Sequence, residues 1–312
     1  MYNFFVNESA LCRKQRFSLC KHGVLIYTNF MEAKRTIALS GITKLIAAGA
    51  ALGILAVSCS RPQEKEEDLR PDFVKQNMQL VWSDEFDGSD PSPNPDNWDY
   101  NLGGNGWGNG ERQTYTRERD NSFVSNGTLK IVAKKNDSGK WTSARVISSF
   151  KQSFTYGYIE FRAKLPTELG SWPALWMMPQ SSSYGNWPRS GEIDVMEYAS
   201  STWGKRAYGT VHCKAGSGGN AIKSGSTEIA DAQNWHTYAV LWQEDSIQWY
   251  FDGKAVTEYR NPRNEKNAWE TWPFDKPFYI IMNVAMGGTL GGYIPDKLKR
   301  CEMEVDYVRV YQ

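Results

Sequence analysis

Three carboxylates stand within six residues in Gly191-Glu192-Ile193-Asp194-Val195-Met196-Glu197. Apolar residues at 193 and 195 alternate with acids at 192 and 194, the two-residue period of a β-strand. The acids then share one face and the apolar residues the other. Such a strand is a poor structural choice, because like charges on one face repel and acids are depleted from strands. Two acids on an open face can instead divide the work of glycoside hydrolysis. One attacks the anomeric carbon, and the other protonates the leaving oxygen and later activates water; retention calls for carboxyl groups about 5 to 5.5 Å apart. Asp194 between them can hydrogen-bond the attacking carboxylate and tune its proton affinity. Strict alternation, however, points Glu197 into the core with Ile193 and Val195, and an unpaired buried Glu is strongly disfavoured. One extra residue near Val195 or Met196 returns Glu197 to the face of Glu192. The sequence therefore predicts a β-bulge between Asp194 and Glu197.

The elements that must hold this strand also read as β. Leu129–Ala133, Gly157–Leu165, Tyr238–Trp242, Ile247–Phe251 and Glu302–Tyr311 carry alternating or β-rich patterns. Asp252-Gly253 after Phe251 is a two-residue hairpin turn, since both residues tolerate positive φ. No long stretch of helical period interrupts these strands. Short strands with Gly- and Pro-rich connections from residue 78 to 312 predict one all-β domain, a sandwich or jelly roll of antiparallel sheets. No internal repeat is present.

Composition narrows the function classes. The chain has 312 residues, 40% hydrophobic and 23% charged, with a formal net charge of +1. That charge gives no reason to expect a nucleic-acid partner. Thirteen Trp residues suit a large β core or surfaces on which sugar rings stack. The glycines of residues 103–110 lack GxGxxG spacing and a βαβ setting, which leaves them as a cleft-edge loop. Neither HExxH nor GxSxG occurs. Five Cys lie at 12, 20, 59, 213 and 301 with no CxxC pair. Cys213 and Cys301 could pair, or remain as two buried thiols.

The N-terminal residues read as an address. The apolar run 45–58 follows Lys34, Arg35 and Lys44 and ends at Cys59, a length short of a transmembrane helix. Ala56-Val57-Ser58-Cys59 resembles a bacterial lipobox, which makes Cys59 the acylated residue; a plain signal peptide or an anchor helix is the alternative. Met31 would begin a signal of ordinary length, so residues 1–58 are an over-extended start plus a signal peptide. Residues 59–77 are the acylated Cys and a solvated tether. The acidic stretch after Cys59 resembles the surface-export signal of Bacteroidetes lipoproteins, which implies a lipid anchor in the outer membrane and a surface-exposed enzyme.

Gly-Glu-Ile-Asp-Val-Met-Glu-Tyr, residues 191–198, resembles the active-site strand of glycoside hydrolase family 16 in its bulged form, found in laminarinases and related β-1,3(4)-glucanases. The likeness runs from about residue 80 to 312. It takes in Gly170–Trp176, Asn186-Trp-Pro188, Trp107-Gly-Asn-Gly-Glu111 and Met282–Gly288. The resemblance implies a β-jelly roll with an open concave cleft and a retaining mechanism. Glu192 would be the nucleophile, Asp194 the assisting acid and Glu197 the acid/base. Trp172, Trp176 and Trp187 would be sugar platforms, against the alternative that a sandwich Trp fills the core. His212, on the strand that follows, matches the family's histidine near the acid/base, though a strand His is commonly structural. Asn109 and Arg145 match positions that contact sugar hydroxyls; Arg145 could equally be a surface ion-pair partner. A structural Ca²⁺ away from the cleft would be held by Glu85, the Gly127 carbonyl and Asp306, where the alternative is an ion pair or capped turn. No cofactor for catalysis is implied. The expected function is a monomeric retaining endo-β-glucanase acting on β-1,3-glucan, mixed-linkage β-1,3-1,4-glucan, or both. The alternatives are a non-catalytic surface glycan-binding lipoprotein and a family relative acting on a marine galactan. Loops 101–113, 180–188 and 261–275 would shape the subsites.

Overall fold

A computed structural model describes residues 67–263 and 266–312. The lipidation residue Cys59 and the proposed signal segment lie outside the described residues. The strands in chain order are β1 Leu80–Asp84, β2 Asp99–Tyr100, β3 Thr114–Tyr115, β4 Ser122–Ser125, β5 Thr128–Lys135 and β6 Trp141–Ser143. They continue with β7 Arg145–Ile147, β8 Gly157–Lys164, β9 Ser171–Pro179, β10 Glu192–Tyr198, β11 Arg206–His212 and β12 Lys223–Glu228. The last are β13 His236–Trp242, β14 Ser246–Phe251, β15 Lys254–Arg260, β16 Phe278–Met286 and β17 Arg300–Tyr311. Three short α-helices lie among the described residues: α1 Asp72–Asn77 ahead of β1, α2 Ser200–Trp203 between β10 and β11, and α3 Gly288–Gly291 between β16 and β17.

The strands form two sheets. One has ten strands, ordered β15-β14-β13-β8-β17-β5-β6-β3, with β1 and β4 added on β17 and β5. The other has seven, ordered β12-β11-β10-β9-β16-β7-β2, and places the acidic strand β10 near its middle. Every pairing is antiparallel except the short β3–β6 contact. This is the expected jelly-roll sandwich. The core between the sheets takes Ile193, Val195 and Met196 from β10, Leu175 and Met177 from β9, and Phe161, Trp249 and Val308 from the facing sheet. The predicted hairpin also forms: Asp252 and Gly253 have φ of 47° and 69°, joining β14 to β15.

Strands β9 and β16 show no alternation in sequence. Both run through the centre of the seven-stranded sheet, and nearly every residue of β16 is buried. β16 is buried on both faces and has no polar side to alternate with, while β9 turns the apolar Trp172 and Trp176 to the face that carries the acids, so neither shows a period-two signal.

The structure corrects the expected domain boundary at residue 78. Residues 68–77 are not a solvated tether throughout. Val74 of α1 is fully buried among Tyr158, Ala239, Leu241, Tyr250 and Tyr311 on the outer face of the ten-stranded sheet. The Arg70 guanidinium lies 4.3 Å above the Tyr311 ring and pairs with Asp68 at 2.8 Å. A charged stretch reads as tether in sequence, and the single apolar anchor within it is decided by what it meets.

Candidate active site

The bulge predicted between Asp194 and Glu197 is present. Against β9, Asp194 faces Trp176 and Met196 faces Leu175, which leaves Val195 without a partner. Against β11, Asp194 faces Thr210 and Glu197 faces Tyr208. Val195 and Met196 therefore stand together against Gly209. Both enter the core, where strict alternation would have turned Met196 outward. The extra residue resets the parity of the strand, so Glu192, Asp194 and Glu197 share the face away from the core.

Each outer acid accepts an indole N–H. Trp187 Nε1 donates to Glu192 Oε2 at 2.5 Å, and Trp172 Nε1 donates to Glu197 Oε1 at 3.0 Å. Asp194 is 2% exposed. Its Oδ2 lies 3.1 Å from His212 Nε2, close in distance but out of line for a hydrogen bond. Glu192 faces His212 directly across the β10–β11 ladder. Glu192, Asp194 and His212 bring one ligand atom each within 4.8 Å of one another, a spacing a divalent ion could bridge.

Three carboxyls in one crevice cannot all ionise freely. Burial pushes Glu192 up to about 8; Asp194 adds to the rise, and His212 and the Trp187 N–H oppose it. Burial pushes Glu197 up to about 7, with the Trp172 N–H pulling it down and Glu192 pushing it up. Burial, and then Glu197, drive Asp194 well above the carboxylate range. Glu192 and Glu197 are half-buried, so water in an open cleft moderates their rise. The three protons belong to the cluster and not to separate residues. Asp194 is the most buried of the three, and the hydrogen bond it shares with Glu192 lowers its own proton affinity while raising that of Glu192.

The remaining expected residues separate into two groups. Asn109, Arg145 and Trp176 meet in one assembly. The Arg145 guanidinium is sandwiched between Trp107 at 4.7 Å and Trp176 at 4.5 Å, a pair of cation–π contacts and no surface ion pair. Its Nε is buried without a hydrogen-bond partner. Trp176 Nε1 donates to Asn283 Oδ1 at 2.7 Å, and Asn109 Nδ2 donates to Glu111 Oε1 at 3.1 Å. Trp172 and Trp187 lie apart from it, as the donors to Glu197 and Glu192. Trp172 is buried against Ala199 and Ala285, so the core-filling alternative holds for much of its ring. Trp187 is 52% exposed and keeps a face open to a sugar.

Sequence reasoning missed the network that carries this assembly. Glu111 accepts hydrogen bonds from Gln113 at 2.6 Å and Tyr115 at 3.3 Å, and Asn283 Nδ2 donates to the Tyr115 hydroxyl at 3.0 Å. The signal was present in Trp107–Glu111 and Met282–Gly288, two stretches rich in groups that cannot be buried unpaired. What joins them is tertiary.

The expected calcium ligands have other partners. Glu85 is held by Arg309 through two hydrogen bonds, of 3.0 and 2.9 Å, and Asp306 pairs with Arg162 at 2.5 Å. Gly127 forms the positive-φ turn between β4 and β5. Strand register brings all three toward β17. Both carboxylates are nonetheless neutralised by guanidinium groups, so the donor set does not fit a cation without displacing them.

The sequence profile of glycosyl hydrolases family 16 matches residues 109–309. A β-glucanase of Rhodothermus marinus is 39% identical over 291 residues, covering 89% of this chain and 98% of that protein. A glucan endo-1,3-β-glucosidase A1 of Niallia circulans is 40% identical over 266 residues, 75% of this chain and 38% of that longer protein. Among solved structures, the laminarinase from Rhodothermus marinus superposes with a TM-score of 0.71 at 42% identity, covering 75% of this chain and 97% of that one.

Proposed function

The chain belongs to glycosyl hydrolase family 16, and from that premise we propose that it is a retaining endo-β-glucanase hydrolysing β-1,3-glucan, mixed-linkage β-1,3-1,4-glucan, or both. The observation that carries this reading is the bulge in β10, which turns Glu192 and Glu197 to one face with Asp194 between them. Glu192 attacks the anomeric carbon while Glu197 gives its proton to the glycosidic oxygen, and the cleaved chain leaves with that proton. Glu197 then removes a proton from water, whose oxygen displaces Glu192 from the sugar. Asp194, hydrogen-bonded to Glu192, holds that carboxyl in place and tunes its proton affinity. The step uses no metal. The Trp107–Arg145–Trp176 stack and Asn109 bind sugar hydroxyls and ring faces beside the reacting bond.

The test is turnover of laminarin and barley-type β-glucan. Glu192→Gln and Glu197→Gln are each expected to lower kcat about 10³-fold or more with the fold intact. Azide with Glu192→Gly yields an inverted glycosyl azide, and with Glu197→Gly a retained one. Normal turnover in either Gln variant sinks the assignment. Release of reducing sugar from agarose and not from laminarin would move the substrate to galactans.

The proposal includes location. The lipobox-like Ala56–Cys59 supports acylation of Cys59 and a lipid-anchored, surface-exposed monomer. Cys59→Ala is expected to abolish palmitate labelling and release the protein from the membrane fraction; unchanged labelling overturns it.

A further inference from the structure

A β-bulge has to be held in register, because one residue of slip returns every side chain beyond it to the other face. In β10 the slip would turn Glu197 into the core. Neighbouring strands β9 and β11 supply the ladder on both sides, but Val195 has no partner on β9 and shares Gly209 with Met196 on β11. The ladder is weakest where the catalytic geometry is decided.

The facing sheet reaches this point. Trp249 of β14 is fully buried, and its indole Nε1 donates to the carbonyl oxygen of Asp194 at 2.8 Å. That carbonyl opens the bulge. The indole gets there because Gly209 has no side chain: a Cβ at this glycine would fall inside the van der Waals envelope of Trp249 Cδ1. Gly209 does not adopt positive φ, so the requirement is space and not backbone freedom. The next rung repeats the arrangement. Gly225 pairs with Gly209 on β12, Thr257 pairs with Trp249 on β15, and a Cβ at Gly225 would collide with Thr257. Two glycines side by side form a slot in the seven-stranded sheet, and Trp249 and Thr257 fill it from the other.

We infer that Trp249, seated in the Gly209–Gly225 slot, is a positioning residue for catalysis: its indole N–H on the Asp194 carbonyl locks the bulge that puts Glu197 on the face of Glu192. It touches no substrate. A buried carbonyl left without its donor is destabilising, and residues 194–197 can relieve that by shifting register. Misplacing a catalytic group by about 1 Å lowers turnover by on the order of 10²-fold. The inference rests on the glucanase reading for its effect on rate, and on the fold alone for its effect on register.

The experiment compares Trp249→Phe with Trp98→Phe. Trp98 is also a buried indole with its N–H spent, on Asp84 Oδ2 at 2.8 Å, but it lies off the catalytic strand. Both variants lose a buried hydrogen bond and are expected to melt lower. Only Trp249→Phe is expected to lose kcat on laminarin, about 10- to 100-fold, with KM within about twofold. Its pH–rate limbs are expected to move because the carboxyl spacing changes, and a crystal structure is expected to show altered pairing at Val195 and Met196. Should Trp249→Phe not fold, Gly209→Ala displaces the indole without changing it and is expected to show the same loss. Either an unaltered register, or kcat and pH limbs like those of Trp98→Phe, overturns the inference. A wild type that releases no sugar from laminarin would sink the glucanase reading, while the register measurement still decides the role of Trp249.

Discussion

The two outer acids differ in exposure to their indole donors, and that difference is testable. A hydrogen bond to the ionised form lowers a carboxyl's pKa, so removing the donor raises it further. Trp187→Phe is expected to raise Glu192, the nucleophile of the proposed mechanism, and because Glu192 lies above Glu197 this moves the alkaline limb of the pH–rate profile to higher pH and lowers the maximum. Trp172→Phe is expected to raise Glu197, the acid/base of the proposed mechanism, moving the acid limb to higher pH. Steady-state pH profiles distinguish the two; a matching shift of the same limb in both would contradict the roles. Stability carries the same signature with its own sign. A carboxyl with higher proton affinity in the fold than in the unfolded chain holds more protons when folded, so stability falls as pH rises through its range. For Glu192 that range runs from the ordinary 4.5 to about 8. Glu192→Gln is therefore expected to raise Tm, by several degrees at pH 8 and little at pH 4, in calorimetric scans. An equal shift at both pH values would show that the carboxyl is not strained by burial.

At the scale of the element, the bulge and the hairpin show how unequal the sequence signals are. The bulge was legible because alternation and chemistry contradicted each other over Glu192–Glu197, and only an extra residue reconciled them. The Asp252-Gly253 turn was legible from residue type alone, but its second duty was not. A Cβ at Gly253 would collide with the Leu69 carbonyl, so this turn also seats the segment before α1. Gly253→Ala is expected to lower stability by about 1 to 2 kcal/mol, from positive φ and the collision together, with kcat unchanged. Denaturant melts and laminarin assays check both halves. Strands β9 and β16 left no alternation to read, because β16 is buried on both faces and β9 carries Trp172 and Trp176 on its outer one.

For the molecule as a whole, residues 68–77 belong to the folded unit. A chain beginning at Met78 would expose Tyr158, Ala239, Leu241, Tyr250 and Tyr311 where Val74 now covers them. It is expected to melt several degrees below a chain beginning at Glu67, since burying one Val-sized side chain contributes about 1.5 to 3 kcal/mol. Equal Tm values would return this segment to the tether. Guanidinium pairing of Glu85 and Asp306 sets a further expectation: EDTA leaves kcat and Tm unchanged. A clear fall in Tm, reversed by Ca²⁺, would show a cation displacing Arg162 and Arg309.

The sequence by itself determined the chemistry available and the elements near it. Three acids on one β-strand, the need for a bulge, the hairpin and the all-β architecture all follow from residue type and period, which are local properties. Tertiary structure decided what each polar group does. Trp172 and Trp187 read as sugar platforms, and the fold makes them donors to Glu197 and Glu192; Arg145 reads as a sugar contact or a surface ion-pair partner, and the fold seats it between Trp107 and Trp176. Trp249 carried no functional signal at all, because its partner is a backbone carbonyl on the opposite sheet. The physical reason is common to these cases. A hydrogen bond or a ring contact between residues distant in the chain depends on register and sheet spacing, and neither is written in the period of any one strand.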